Sequence, residues 1–276
     1  MKKELLYRIK QIAIWSLFTV ALGLFLGFSE SQRSKIVCND IAVEITDTTG
    51  FYFVEPNDIL DFLSEKGYKL KGMQLDKIPL NKIENDIRNF PSVKGAEVFS
   101  TLDGIIHIDV KQRNPILRVI NYNNESYYID NEGALFPLSE KYTARVLVAN
   151  GNLNEPYNLR YLKNASDSVD KDELGRKYFI DDLFLLAKFI QNDNFYKSLV
   201  EQIYVNENNE IEIVPKVGRF IILLGSIENM DEKFKNLKTF MKIALPREGW
   251  DKYSQINIKY KDQIVCTKKV GYEPNE

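Results

Sequence analysis

The sequence predicts an α+β protein with an N-terminal transmembrane helix, a β-α-α-β-β unit, and a mainly antiparallel β-unit with two helices. Three observations predict this class. An uncharged apolar run lies near the N-terminus, strand and helix periodicities follow each other in the next part, and short apolar runs between Asn, Asp and Gly turns dominate the remainder. The expected segments are 1–11 (tail), 12–29 (transmembrane helix), 36–113 (first unit), 115–269 (β-unit) and 270–276 (C-terminal tail).

The apolar run has the length of a membrane span. Gln11 to Ser29 are 19 residues without a charge, which as a helix reach about 28 Å, close to the hydrocarbon thickness of a bilayer. The positive-inside bias places the N-terminal tail in the cytoplasm, because four cations precede the run: Lys2, Lys3, Arg8 and Lys10. A cleaved signal peptide is the competing interpretation. The segment after the run offers only a poor small-x-small cleavage site, which favours a retained anchor.

Composition excludes several classes of protein. The net charge of −2 lacks the basic field on which non-specific nucleic-acid binding depends. One histidine and two cysteines are too few to form most metal sites and disfavour Ser-His-Asp catalysis. Cys38 and Cys266 lie near opposite ends of the exported part, and two buried apolar thiols are favoured over a disulfide, which the sequence leaves open.

The first unit begins with a strand and two helices. Ile41, Val43 and Ile45 alternate with more polar residues, which is typical of a half-buried strand. Pro56 suits the first turn of a helix that ends at Gly67. Pro79 starts a second helix, which Pro91 stops and whose apolar residues recur in steps of three and four: Leu80, Ile83, Ile87 and Phe90.

A hairpin completes this unit. Ala96 to Thr101 and Ile105 to Gln112 read as strands joined at Asp103-Gly104, a dipeptide that accepts the positive φ of a tight turn. His107 and Asp109 share the polar face of the last strand. A catalytic pair would need a nucleophile that the sequence does not supply, so we interpret His107 as a surface residue.

The second unit alternates short strands with two helices. We expect a loop at 150–172, helices at Tyr178 to Gln191 and around Phe234 to Met241, and a terminal hairpin, Gln255 to Lys261 with Gln263 to Lys269, around Asp262. The other expected strands are Leu117–Tyr122, Ser126–Asp130, Ala134–Leu138, Arg145–Ala149, Gln202–Val205, Glu210–Val214 and Arg219–Leu224.

No catalytic, cofactor or metal site is predicted. Leu224-Gly225-Ser226 lacks the lysine and spacing of a phosphate-binding loop and is interpreted as a connecting turn. Three acidic clusters have no histidine nearby and no calcium-loop spacing, so we interpret them as solvated or helix-starting charges: Asp181-Asp182, Asp231-Glu232 and Asp170 to Glu173.

Three strings carry a resemblance to a known family: FPSVKGAEVF, DGIIHIDVKQRNPILRVI and SYYIDNEGALFPLS. The β-α-α-β-β order resembles a POTRA (polypeptide-transport-associated) module, and the strings in this order resemble the bacterial cell-division family FtsQ/DivIB. The resemblance covers essentially the whole chain. Asp130 and Gly133 belong to its third string.

The resemblance implies a non-enzymatic scaffold of the division machinery in the inner membrane, with the bulk of the chain periplasmic and enriched at the septum. The implied partners are proteins of the FtsB/DivIC and FtsL type, with the septal synthase proteins FtsW and FtsI as further contacts. A different class is a POTRA-bearing component of protein translocation or assembly; these usually carry several POTRA repeats, and the sequence has no internal repeat. An envelope enzyme is the third and least favoured class.

We expect the partner to bind at the terminal hairpin. The final strand has no later strand to cover its outer backbone groups, so a partner strand can be added there; the alternative is that the tail at 270–276 covers it. In the family this C-terminal edge receives the coiled-coil partner, and Tyr260 matches a tyrosine of the contact region. The expected partner-binding residues are Tyr253, Ile256, Ile258, Tyr260, Gln263, Ile264, Val265, Cys266, Thr267 and Lys268.

Overall fold

A computed structural model describes residues 15–21, 36–46, 50–155, 157 and 179–271. Residues 15–21 are helical and lie within the predicted transmembrane segment, the rest of which falls outside the described residues. Among the helices that are described, none is both long and apolar enough to cross a membrane. The chain divides into two compact units between Gln112 and Arg113.

The first unit has the predicted β-α-α-β-β order. Its helices are α1 (Pro56–Glu65) and α2 (Leu80–Arg88), and a 3-10 turn at Leu75–Lys77 separates them. The strands β1 (Asp40–Thr46), β2 (Val93–Ser100) and β3 (Ile105–Gln112) form a sheet in the order β1-β3-β2. β3 therefore lies in the centre, parallel to β1 and antiparallel to β2, and the two other strands are edges.

Local signals in the sequence set the ends of these elements. Glu55 and Asp58 form a capping box at the start of α1, and Gly67 has a φ of 84° just after its end. Gly104 has a φ of 85° in the β2–β3 turn, as the Asp-Gly dipeptide predicts. The core between the helices and the sheet is apolar and includes Ile59, Leu63, Ile83, Ile87, Ile106, Ile108 and Val110.

The second unit is built on one mixed sheet of nine strands. The order across the sheet is β12-β11-β10-β9-β8-β7-β4-β5-β6. Five neighbouring pairs are antiparallel and three are parallel, namely β4 with β7, β7 with β8 and β10 with β11. The strands are β4 (Pro115–Ile120), β5 (Ser126–Asp130), β6 (Leu135–Pro137), β7 (Leu147–Gly151), β8 (Val200–Val205), β9 (Ile211–Pro215), β10 (Ile221–Gly225), β11 (Tyr253–Asn257) and β12 (Val265–Lys268).

This unit carries more helices than the two predicted. The predicted helices are α3 (Phe179–Gln191) and α5 (Met230–Thr239), and the described residues add α4 (Asn194–Leu199), a π-helical turn (Phe240–Ala244) and α6 (Leu245–Glu248). The short α4 begins because the Asp193 carboxylate accepts the backbone N–H groups of Phe195 and Tyr196. The prediction of only two helices is therefore wrong.

The helices bury one face of the sheet. The apolar stripes of α3 and α5 join the strand residues Ile203, Ile213, Ile222 and Ile256 in one core. An aromatic cluster connects the two helices, because the Phe234 ring lies 5.0 Å from Phe189 and 4.9 Å from Tyr196 between centroids.

Several predicted strands are displaced or shortened in the structure. β7 begins two residues later than the predicted Arg145 to Ala149. The terminal hairpin is not tight, because β11 ends at Asn257 and β12 starts at Val265. The predicted loop at 150–172 lies mostly outside the described residues, as do Asp170 to Glu173 and the tail beyond residue 271.

The turn between β5 and β6 contains a buried ion pair. Asp130 is fully buried, and its Oδ2 accepts a hydrogen bond from Arg113 Nη1 at 2.8 Å. Its Oδ1 accepts the backbone N–H groups of Glu132 and Ala134, both at 2.9 Å. Gly133 completes the turn with a φ of 87°. The string that carries the family resemblance therefore forms a charged, closed turn.

Candidate functional site: the outer edge of the nine-stranded sheet

β12, the strand at which we expect the partner to bind, lies at one edge of the nine-stranded sheet. It pairs antiparallel with β11, in the register Asn257 with Val265 and Ile256 with Cys266. A bulge between Tyr253 and Gln255 adds a residue to β11, so the alternation along β12 itself is regular. One side of the β12 backbone therefore faces away from the sheet.

The outward-facing backbone groups belong to alternate residues. Lys269 N–H donates to Lys252 O at 3.0 Å, and Thr267 O accepts a hydrogen bond from the Ser254 hydroxyl at 3.3 Å, so both residues point toward β11. Because backbone direction alternates along an antiparallel strand, Cys266 and Lys268 point their N–H and C=O groups away. The sequence could not separate the two sets.

The side chains of β12 alternate between the two faces of the sheet. Ile264, just before the strand, and Cys266 pack partly buried against the core. Val265 is 47% exposed, and Thr267 is exposed as well. Burial raises the pKa of the Cys266 thiol, which keeps it in the neutral form, so this residue packs as an apolar side chain.

The strand beneath β12 supplies support and no exposed apolar surface. Tyr253, Ile256 and Ile258 are at most 9% exposed and belong to the core. Ile258 lies beyond β11 but its N–H donates to Leu223 O at 3.0 Å, which holds it against β10. The predicted strand from Gln255 to Lys261 is wrong at its end, because the chain leaves the sheet after Asn257 and Tyr260 is 50% exposed.

The loop from β11 to β12 borders a small polar cavity. The cavity has a volume of about 110 Å³ and lies between this loop and α5. Tyr260 and Asp262 line it from the loop, and Asp262 has a φ of 58°, which turns the chain back toward β12. Gln263 follows this turn and is exposed. The cavity is thus bordered by the loop that leads into β12.

The cavity is lined by charges of both signs, with Glu232 and Asp262 beside its lysines. Lys259 binds the Glu210 carboxylate, a hydrogen bond that raises the pKa of its amine. Lys233, from α5, donates to Ser226 O at 2.8 Å and to Leu224 O at 3.2 Å, and burial lowers the pKa of this amine. Lys261 also lines the cavity.

Sequence reasoning missed the α5 side of the cavity. The signal available was Lys233 itself, a cation four residues before the buried Leu237 on an otherwise apolar helix face. The β10–α5 turn that receives its amine was correctly predicted as a connecting turn, and Gly225 has a φ of 75° there.

Groups suited to catalysis do not converge at this surface. His107 belongs to the first unit, where its ring stacks on Phe99 at 5.1 Å between centroids. Asp181 and Asp182 lie in the first turn of α3, and Asp231 and Glu232 in that of α5, as expected for helix-starting charges. Over the part of the chain that the structure describes, no group of three His, Cys, Asp or Glu side chains could hold a metal ion. Both described cysteines are free thiols.

Comparison with known families agrees with the division into units. Residues 36–111 match the POTRA-like domain, and residues 114–267 match the family described as FtsQ/DivIB, C-terminal related. No curated protein matches the chain in sequence. The second match spans more than half of the 276 residues and includes β11 and most of β12. This chain therefore belongs to the FtsQ/DivIB family of cell-division proteins.

Proposed function

We propose that this protein is a non-enzymatic scaffold of the division machinery that captures a partner by strand addition at β12. The observation that supports this function is that β12, within the region that matches FtsQ/DivIB, has no strand on its outer side among the residues that the structure describes. The family is one of non-enzymatic division scaffolds. The membrane-proximal proteins of the FtsB/DivIC and FtsL type are the proposed partners, and FtsW and FtsI are proposed as further contacts.

In this mechanism the partner contributes a tenth strand to the sheet. Cys266 and Lys268 would exchange backbone hydrogen bonds with it, while its side chains would flank Val265 and Thr267 on the exposed face. Main-chain pairing supplies affinity in such complexes, and side-chain pockets supply specificity. Tyr260, Gln263 and the adjacent cavity lie where the partner would pass beyond the end of β12.

The buried members of the predicted site have a supporting role in this proposal. Ile256 and Ile258 fix β11 on the core, and Tyr253 packs at its other end, 6.4 Å from the Phe240 ring between centroids. A rigid β11 holds β12 in register, so that the outward groups are arranged before the partner arrives and little ordering entropy is lost on binding.

The remaining parts of the proposal concern placement in the cell. We propose that residues 12–29 anchor the chain in the inner membrane, with the N-terminus in the cytoplasm and the two units in the periplasm. Basic residues precede the apolar run, which supports this orientation. Septal enrichment then follows from the interaction with the division partners.

Proline substitution at β12 tests the mechanism. Cys266→Pro removes one outward N–H and places a ring where the partner backbone would lie, so we expect at least about a tenfold weaker affinity for the FtsB/DivIC-type partner. Cys266→Ala keeps the N–H and serves as the control, with affinity within about twofold. The measurement is isothermal titration calorimetry with the full-length chain and the purified partner ectodomain.

A third variant separates capture from folding. Val265 points its N–H toward β11, so Val265→Pro breaks the internal ladder and should lower the unfolding temperature of the unit, whereas Cys266→Pro should leave it within a few degrees. If Cys266→Pro stays folded and binds as tightly as Cys266→Ala, strand addition at β12 is wrong. The partner must then dock on another surface of the second unit.

A further inference from the structure

The two edge strands of the three-stranded sheet, β1 and β2, differ in what lies against their outward backbone groups. Thr101 N–H donates to Ile105 O at 3.0 Å and so points toward β3. The alternation of an antiparallel strand then turns the backbone groups of Ser100, Val98 and Ala96 away from the sheet. These groups would accept a fourth strand if nothing else satisfied them.

Two side chains of α2 satisfy two of the outward groups of β2. Glu84 Oε2 accepts the Val98 N–H at 3.2 Å, and Arg88 Nε donates to Ala96 O at 3.2 Å. The same side chains pair with each other at 2.7 Å. Four residues of a helix rise about 6.0 Å, and two residues of a strand span about 6.6 Å, so this pair matches the spacing of a neighbouring strand. The edge at β2 is therefore closed.

The edge at β1 is closed only at its start, where the Asp40 carboxylate accepts the Ile41 N–H at 2.9 Å and pairs with Lys71 at 2.7 Å. From Ala42 to Thr46 the described residues supply no comparable side-chain contact on the outer side of the strand. Among the described residues no strand pairs with the outer side of β1 either. Its apolar side chains, Ile41, Val43 and Ile45, are only half-buried, in contrast to the fully buried Ile106 and Ile108 of the central strand. A strand added beside β1 would cover these three side chains.

The charges on the exposed face of the sheet indicate which side chains such an added strand should have. The register places Asp109 of β3 directly between Glu44 of β1 and Glu97 of β2, so three carboxylates form one row across the strands. Like charges in direct cross-strand positions are destabilising. Lys111, two residues along β3, offsets part of this charge from the neighbouring row. A cation on a fourth strand, beside Glu44, would extend the row with the opposite sign.

We propose that β1 is a second strand-addition edge, and that its occupant is a basic strand with apolar residues at alternate positions and Lys or Arg between them. The apolar residues would pack beside Ile41, Val43 and Ile45, and a cation would lie beside Glu44. A second copy of this chain does not fit, because β1 itself, Asp40 to Thr46, contains two acidic residues and no cation.

A synthetic peptide tests this edge with the full chain. The probe is a seven-residue peptide of alternating valine and lysine, acetylated and amidated, which matches the seven residues of β1. Hydrogen exchange read by mass spectrometry should show slower exchange at residues 40–46 when the peptide binds, and unchanged exchange at residues 93–100. Fluorescence anisotropy of the labelled peptide gives the affinity.

Matched variants locate the contact. Glu44→Lys should weaken binding about fivefold, because it replaces a cross-strand attraction with a repulsion. Glu97→Lys reverses the same charge at the far side of the row, about 14 Å from the peptide cation across three strand spacings. That distance exceeds the screening length of about 8 Å at physiological salt, so this control should change affinity less than about twofold. Glu44→Gln replaces Glu44→Lys if the latter does not fold.

Opening the closed edge gives the second arm of the experiment. In the double variant Glu84→Ala with Arg88→Ala, the peptide should slow exchange at residues 93–100 in addition to 40–46. The proposal is overturned if a valine–glutamate peptide binds equally well or if Glu44→Lys and Glu44→Gln both bind normally. It is also overturned if residues 40–46 are already protected without peptide and do not respond, since another segment of this chain would then occupy the edge.

Discussion

Replacing Asp130 is the sharpest test of how the β5–β6 turn is held. One buried carboxylate performs two tasks there, because one oxygen pairs with Arg113 and the other accepts two backbone N–H groups of the turn. Asp130→Ala removes both tasks. Asp130→Asn keeps an amide oxygen for the two N–H groups and removes only the charge. The pair of variants therefore separates the ion pair from the turn.

The expected magnitude follows from burial. Removing one partner of a buried ion pair costs about 3–5 kcal/mol. Each hydrogen bond from a backbone N–H to the charged carboxylate contributes about 1.5–3 kcal/mol, and this contribution is part of that total. We expect Asp130→Ala to lower the free energy of unfolding of the second unit by about 4 kcal/mol and Asp130→Asn by about 2 kcal/mol. With a urea slope of about 2 kcal/mol per molar, the midpoints fall by about 2 M and about 1 M.

Urea unfolding followed by tryptophan fluorescence measures these shifts. The chain has two tryptophans, and a Trp15→Phe background leaves Trp250 as the reporter of the second unit. Asn131→Ala, at an exposed position of the same turn, is the control and should change stability by less than about 0.5 kcal/mol. Equal losses for the Ala and Asn variants would refute the claim that turn closure contributes. A loss below about 1 kcal/mol for Asp130→Ala would refute the buried ion pair as a stabilising element.

Two further predictions concern titration. The Tyr68 hydroxyl donates to Asp86 at 2.6 Å, and this bond raises the pKa of Tyr68 to about 12; its stabilising contribution is complete below the unfolded value of about 10 and is lost as the pH rises through the folded value. Ultraviolet titration of the wild type and Tyr68→Phe should therefore differ by one phenolate step near pH 12, and a difference near pH 10 would contradict the bond. Burial raises the pKa of the thiols of Cys38 and Cys266, so both should react with iodoacetamide more slowly in the folded chain than in urea at about pH 8. Mass spectrometry reports each site, and fast labelling of the folded chain would contradict the burial of either thiol.

Most helices and strands could be predicted because the residues that determine them lie within a few positions of each other in the sequence. The alternation at Ile41, the capping residues around Pro56 and the Asp-Gly turn at Gly104 act within a few residues, and the structure confirms the strand, helix and hairpin that they indicate. The apolar spacing of α3 and α5 is equally local. The family strings predicted the order of the units, and the two family matches confirm it.

Pairing between distant strands had no local signal. Two of the parallel pairs, β7 with β8 and β10 with β11, join strands that are separated by helices, and the third, β4 with β7, joins strands that are separated by β5 and β6. Neither alternation nor turn residues encode such neighbours. Ile258 illustrates the same limit of prediction within the candidate site. It continues the apolar alternation of β11, but its N–H bonds to β10 because the chain leaves β11 there. The cavity escaped prediction for the same reason, since Lys233 and Lys259 come together only through β10 and α5.

The end of the nine-stranded sheet opposite to β12, formed by β6, limits how many strands the second unit can accept. β6 has three residues and ends at Pro137, which has no N–H to donate, so this end is poorly suited to receive another strand. A sheet that accepts strands at both ends can propagate from molecule to molecule into a fibre. If a strand is added only at β12, as we propose, each chain takes up one strand through this sheet. Growth then stops unless the incoming strand has an unpaired edge of its own.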